Sequence, residues 1–150
     1  CGFHLIYATG EAQYKGIIEK IGDLKSKKIQ VLPYIYDMAN TMAAADLVVC
    51  RAGAITISEL TALGVPSVMI PSPYVTANHQ EHNAKALEQQ GAAVVILEKN
   101  LNSDILYDQI NTLLSDRNIL NKMAQHAKKM GITNATEKIY ELIKEIVKKE

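Results

Sequence analysis

The sequence predicts an α/β domain, a Rossmann-like parallel sheet with helices on both faces, from three observations. Short apolar runs rich in β-branched residues alternate with longer segments of helical period, which is the pattern of repeated βαβ units. Glycines stand where helices should stop, at Gly64 and Gly91. Beyond Leu97 the alternation gives way to helical patterns alone.

Five strands follow from this reading: Phe3 to Ala8, Ile29 to Leu32, Leu47 to Cys50, Ser67 to Ile70, and Ala93 to Leu97. Between them, helices are expected over Ala12 to Leu24, Asp37 to Ala44, Ala54 to Leu63 and Gln80 to Gln90. Right-handed crossovers would lay each helix on a sheet face. Three more helices are expected over Ser103 to Leu114, Arg117 to Met130 and Ala135 to Lys149. Ser103 and Asn134 occupy N-cap positions, and Glu137 stands where a capping-box partner of Asn134 belongs. The last helix carries Ile139, Leu142, Ile143 and Ile146 on one stripe, with Lys138, Lys144, Lys148 and Lys149 mostly elsewhere. Such a stripe is expected to pack on a domain; contact of its lysines with an anionic membrane surface is the second reading.

The chain has 150 residues, 48% of them hydrophobic, enough for one core and one domain over residues 1–150. Acidic and basic residues balance at sixteen each, so no broad attraction to nucleic acid is expected. Cys1 and Cys50 do not make a disulfide framework, and Cys50 ends an apolar strand as a buried free thiol would, which fits a reducing cytosol. No stretch has the apolar length of a membrane span, and the N-terminus lacks the order of a signal peptide. Because it starts at Cys1, almost inside an apolar run, the chain is expected to be a piece of something longer.

The chemistry concentrates in three segments. Arg51-Ala52-Gly53-Ala54-Ile55-Thr56-Ile57-Ser58-Glu59 joins a buried strand to a glycine turn and a helix start, where free N–H groups and the helix dipole favour a phosphate. Ala54, Ile55 and Thr56 present small or backbone groups to a diphosphate there, and Glu59, about one turn into the helix, can reach ribose hydroxyls. The same letters also read as a capping box, Thr56-x-x-Glu59. The second segment, Asn78-His79-Gln80-Glu81-His82-Asn83-Ala84, opens a helix after the loop Pro71 to Asn78, a candidate lip over a ligand. His79 and His82 lack the i, i+4 spacing of a zinc helix, so no metal is expected, whereas Gln80 and Asn83 offer donors and acceptors for sugar hydroxyls. A solvated polar helix start is the plainer reading. In the third, Pro33-Tyr34-Ile35-Tyr36-Asp37-Met38, apolar side chains and free backbone groups could hold a flat base, although simple packing explains them as well. Neither G-x-G-x-x-G nor G-K-[ST] occurs, which argues against a dinucleotide dehydrogenase and a P-loop enzyme. His4 and His126 read as structural, and Asn134-Ala135-Thr136 as a chance match to a glycosylation pattern.

In this order and spacing the three segments resemble the C-terminal half of the bacterial N-acetylglucosaminyltransferases that convert lipid I to lipid II in peptidoglycan synthesis. The resemblance is carried by Asp46 through Glu59, by Gly64-Val65-Pro66-Ser67 with Ile70-Pro71, and by His79-Gln80 with Asn83-Ala84. It implies the C-terminal domain of a two-domain (GT-B type) glycosyltransferase that binds UDP-N-acetylglucosamine. Carried over by position, Ile35 would meet uracil through its backbone with Met38 nearby, Glu59 the ribose, Ala54, Ile55 and Thr56 the diphosphate, and His79 and Gln80 the sugar. It further implies metal-independent inverting transfer to lipid I with no cofactor, on the cytoplasmic face of the cell membrane, in the service of cell-wall biogenesis, cell shape and division. The general base and the acceptor site would lie in an N-terminal domain, and the first strand and glycine-rich loop of the donor domain before Cys1. Alternatives are the donor half or donor-binding subunit of another UDP-sugar glycosyltransferase, and an interaction module that binds no nucleotide.

Overall fold

The computed structural model describes residues 2–22 and 26–147. Cys1, Leu24, Lys148 and Lys149, named above, lie outside the described residues. The chain divides into two compact units, Cys1–Thr41 and Met42–Glu150.

The first unit is one βαβ step. Strand β1 (Leu5–Ala8) pairs in parallel with β2 (Ile29–Leu32), Leu5 opposite Ile29 and Ala8 opposite Leu32. Helix α1 (Glu11–Ile21) joins them, starting after Gly10 and stopping where the Gly22 N–H donates to the Ile18 carbonyl. Leu5, Ile6, Tyr7 and Ile18 stay partly open, and no described residue of this unit is buried. Helix α2 (Met38–Ala43) opens at the end of the unit, where Asp37 accepts from the Asn40 N–H at 3.3 Å and from its side-chain amide at 2.8 Å.

The second unit holds the core. Strands β3 (Val48–Cys50), β4 (Ser67–Met69) and β5 (Ala93–Val95) form a parallel sheet in that order. Parallel neighbours need crossovers, and helices α3 (Ala54–Leu63) and α4 (His79–Gln89) supply them. Every residue of β4 is buried, as a central parallel strand covered on both faces must be. Val68 and Ile70 on one face cluster with Ile96 and with Leu113, Leu120 and Met123 of α5 (Ser103–Ser115) and α6 (Arg117–Met130).

Helix α6 also anchors α3. A Cβ built on Gly131, just past α6, would stand 2.6 Å from the Thr61 carbonyl oxygen, so only glycine permits this approach. The Lys128 ammonium donates to the Ala62 carbonyl in the last turn of α3, where a cation is favoured by the helix dipole. Gly64 then stops α3 in the left-handed region (φ 76°), its N–H donating to the Leu60 carbonyl at 2.8 Å.

All the strand pairs are parallel, as expected; among the described residues they form a two-stranded and a three-stranded sheet. Three expectations need correction. The α4 helix begins at His79, and the loop before it contains a 3-10 turn, Thr76–Asn78. The cap of α5 is Asn102, whose side chain accepts from the Ile105 N–H at 2.8 Å, with Ser103 already inside the helix. Finally, the stripe of α7 (Ala135–Val147) is left largely uncovered: Ile139, Leu142, Ile143 and Ile146 are each more than half exposed.

Candidate functional site

At the carboxyl edge of the three-stranded sheet, β3 runs through Arg51, Ala52 and Gly53 into α3. The helix starts at Ala54, with Gly53 as N-cap and no side chain capping it. The first intrahelical bond is Ile57 N–H to the Gly53 carbonyl at 3.0 Å. The N–H groups of Ala54, Ile55 and Thr56 therefore have no acceptor among the described residues, and they carry the positive end of the dipole. Gly53 is extended (φ −69°, ψ 143°), which any residue tolerates, and a Cβ there would meet only the Thr56 hydroxyl oxygen at 4.0 Å. Its backbone does not demand glycine; what glycine provides is open space beside the three free N–H groups.

This geometry removes the capping-box reading. Thr56 is the third residue of α3, not the residue before it, so Glu59 has no cap to complete. Glu59 is exposed in the second turn and makes no hydrogen bond or ion pair among the described residues. A carboxylate in that condition is available to hydroxyl donors.

The second cluster leaves the adjacent strand. Beyond β4, the Ser72 N–H donates to Gln80 Oε1 at 2.9 Å, so the amide of Gln80 is oriented with its NH2 as the remaining polar end. His79 Nδ1 lies 2.6 Å from the Thr76 carbonyl oxygen. Since a carbonyl only accepts, Nδ1 must carry the proton, which leaves Nε2 of the neutral ring as an acceptor. One donor and one acceptor side by side suit a hydroxyl, which does both. Asn83, one turn on, is half-buried, with no side-chain partner among the described residues. Glu81 is engaged elsewhere: Lys85, with which it pairs, and then the Asn78 amide at 2.8 Å hold its carboxyl below the ordinary value of 4.5. Ala77 and Asn78, just before the helix, both take φ 52°, a left-handed conformation that costs a non-glycine residue about 1 kcal/mol. A cleft of about 410 Å³ between Pro71, Tyr74, Asn78 and Glu81 on one side and Leu97 to Lys99 on the other is lined by none of the residues expected from the sequence to bind.

In the first unit, Ile35 is half-buried between Tyr34 and Tyr36, whose rings meet edge to face at 5.1 Å between centroids. Neither its N–H nor its carbonyl has a backbone partner among the described residues, so the main chain is free to read a planar base. Met38 follows as the first residue of α2. In the second unit the order of the sheet puts the α3 and α4 clusters at the ends of neighbouring strands, Cys50 being in register with Met69.

Sequence reasoning passed over Arg51, Ser72 and Glu98. Arg51 Nη1 donates to the Ile70 carbonyl at 3.2 Å and pairs with Glu98, tying the ends of all three strands. A guanidinium directly after an apolar strand was the available signal; its partner, 47 residues away, was not readable. Cys50 is packed at the end of β3, and burial pushes its thiol up to about 11, so it stays protonated and unreactive near neutral pH.

A parallel α/β unit with an uncapped helix N-terminus at the carboxyl edge of its sheet is a Rossmann-like ligand-binding fold. Residues 2–146 match the glycosyltransferase family 28 C-terminal domain, and the chain belongs to that family. It is 76% identical over 147 residues to the UDP-N-acetylglucosamine--N-acetylmuramyl-(pentapeptide) pyrophosphoryl-undecaprenol N-acetylglucosamine transferase of Acetivibrio thermocellus, covering 98% of this chain and 40% of that relative's length. The relative of the same name from Ruminiclostridium cellulolyticum is 54% identical over 147 residues, covering 97% of this chain and 40% of its own length. The chain thus spans about 40% of the length of the curated relatives it matches. A crystal structure of Acinetobacter baumannii MurG superposes with a TM-score of 0.85 at 35% identity, over 95% of this chain and 43% of that one. The fold is accordingly that of the C-terminal domain of GT-B glycosyltransferases.

Proposed function

We propose that residues 1–150 form the donor-binding domain of an N-acetylglucosaminyltransferase that transfers N-acetylglucosamine from UDP-N-acetylglucosamine to lipid I, giving lipid II. The observation that carries this reading is the run of three unsatisfied N–H groups, Ala54, Ile55 and Thr56, beside a glycine whose backbone does not require glycine. The names of the similar proteins supply the donor and the acceptor.

Charge appears on the diphosphate as the bond to the anomeric carbon breaks. The α3 N-terminus aims fixed N–H dipoles at that charge, and stabilisation of this kind acts more strongly in the transition state than in the bound substrate. The residues of α3 achieve it without a metal. Glu59 accepts from the ribose, Ile35 reads uracil through its main chain with Met38 beside it, and Gln80 donates to the sugar while His79 accepts, Asn83 lying one turn on. The acceptor hydroxyl attacks from the opposite face, which inverts the anomeric carbon. Its general base and the binding site for lipid I belong to the rest of the protein, as does attachment to the cytoplasmic face of the membrane; no helix among the described residues is long and apolar enough to cross one. The product serves cell-wall assembly, and through it cell shape and division.

Calorimetric titration with UDP, UDP-N-acetylglucosamine and UDP-glucose tests the proposal. The chain should bind UDP, and Glu59→Ala should weaken it by about tenfold or more, the worth of hydrogen bonds to a charged acceptor, with an unchanged melting temperature because Glu59 is exposed. Absence of UDP binding by the parent, or equal binding by Glu59→Ala, would contradict it. Transfer of sugar by this chain alone would show that the base had been assigned to the wrong part of the protein.

A further inference from the structure

We infer that Arg51 is a positioning residue for the sugar half of the site: it clasps the ends of β4 and β5 to β3 and thereby fixes the segment that orients Gln80. This rests on the donor-binding reading above and adds to it a residue that touches no ligand.

Ile70 is held at both of its backbone polar groups. Its N–H donates to the Cys50 carbonyl at 2.9 Å, and its own carbonyl accepts from Arg51 Nη1 at 3.2 Å. The same guanidinium pairs with Glu98, in the turn after β5. Only Pro71 separates Ile70 from Ser72, and Pro71 is buried with a ring-locked φ, so the short segment transmits position instead of absorbing it. The Ser72 N–H then holds Gln80 Oε1 at 2.9 Å. The chain of contacts runs from Arg51 through the Ile70 carbonyl and the Ser72 N–H to the Gln80 amide. Releasing the first link lets the last one turn, and the NH2 that should meet the sugar loses its aim.

Stability alone does not account for the arrangement. The Arg51 side chain is 53% exposed, and an ion pair open to water to that extent contributes about 0–1 kcal/mol. Val68, Ile70, Ile96, Leu113, Leu120 and Met123 hold this unit together without it.

The test compares the parent with Arg51→Ala, Arg51→Lys and Glu98→Gln by amide hydrogen exchange and by calorimetry. Exchange at the Ser72 N–H should rise about tenfold in Arg51→Ala, the effect of loosening one hydrogen bond, while exchange at Val68 and Ile96 stays as in the parent. Arg51→Lys should recover most of the protection, and Glu98→Gln should lie between. In the titrations, Arg51→Ala should weaken UDP-N-acetylglucosamine by about threefold to tenfold more than it weakens UDP. Unchanged Ser72 exchange, a rise in step with Val68 and Ile96, or equal weakening of both ligands would overturn the inference. If the parent binds neither ligand while Ser72 responds as described, the donor-binding proposal fails and the clasp stands.

Discussion

The two units differ in what they bury. In Met42–Glu150, Leu60, Val68 and Met69 are completely enclosed, and α3 is pressed against α6 so closely that Gly131 leaves no room for a methyl group. In Cys1–Thr41 no described residue is buried, and the apolar side chains of β1 remain about half open. Two strands and one helix cannot enclose a core, and units of about 40 residues seldom hold themselves together without help. The functional residues divide along the same line. Those proposed for phosphate, ribose and sugar stand on the unit that encloses its own core, whereas the proposed base reader, Ile35, stands on the one in which no described residue is buried.

Cavity formation puts the contrast under the greatest strain. Leu60→Ala, in the helix that carries the proposed phosphate site, should cost about 2–5 kcal/mol, because the side chain is fully enclosed. Ile18→Ala in α1, 39% exposed, should cost about 1 kcal/mol or less. Chemical denaturation of both variants compares them, and similar losses would mean that the first unit shares the core more than its exposure indicates.

A smaller effect probes the core of the second unit from within. The hydroxyl of Ser67 is buried in β4 with no partner among the described residues. Ser67→Ala should leave stability unchanged or raise it by up to about 1 kcal/mol, since an unsatisfied polar group is removed and the shape is nearly kept. A clear loss in a thermal melt would mean that the hydroxyl has found a partner.

The smallest effect lies at the surface of α4. Lys85 and Asn78 hold the Glu81 carboxyl below 4.5, so in the folded chain it gives up its proton at a lower pH than in the unfolded chain. Its contribution is complete above 4.5 and is lost as pH falls through the lowered value. The side-chain amide resonance of Asn78 should follow that titration, and Lys85→Ala should move the midpoint upward toward the ordinary value.

Much of this was legible because it is local. Gly53 before Ala54 fixes where α3 starts, and the start alone determines which N–H groups are orphaned. The strand cores and the glycine stops at Gly64 and Gly91 follow from short-range periodicity and φ preference. The misreadings have local causes too: Asn102 and Ser103 are both good caps, and nothing in the neighbouring residues chooses between them. The stripe on α7 announces an apolar face without saying what covers it.

The sequence by itself determined the parallel α/β pattern, the three segments that carry the chemistry and the family to which the chain belongs, since each is written within a dozen or so neighbouring residues. Tertiary structure alone decided that no side chain of the described residues engages Glu59, that the Gln80 carbonyl is taken by Ser72, and that Arg51 reaches Ile70 and Glu98. Those outcomes depend on partners brought together by the sheet, and no periodicity along the chain encodes which distant residue a side chain will meet.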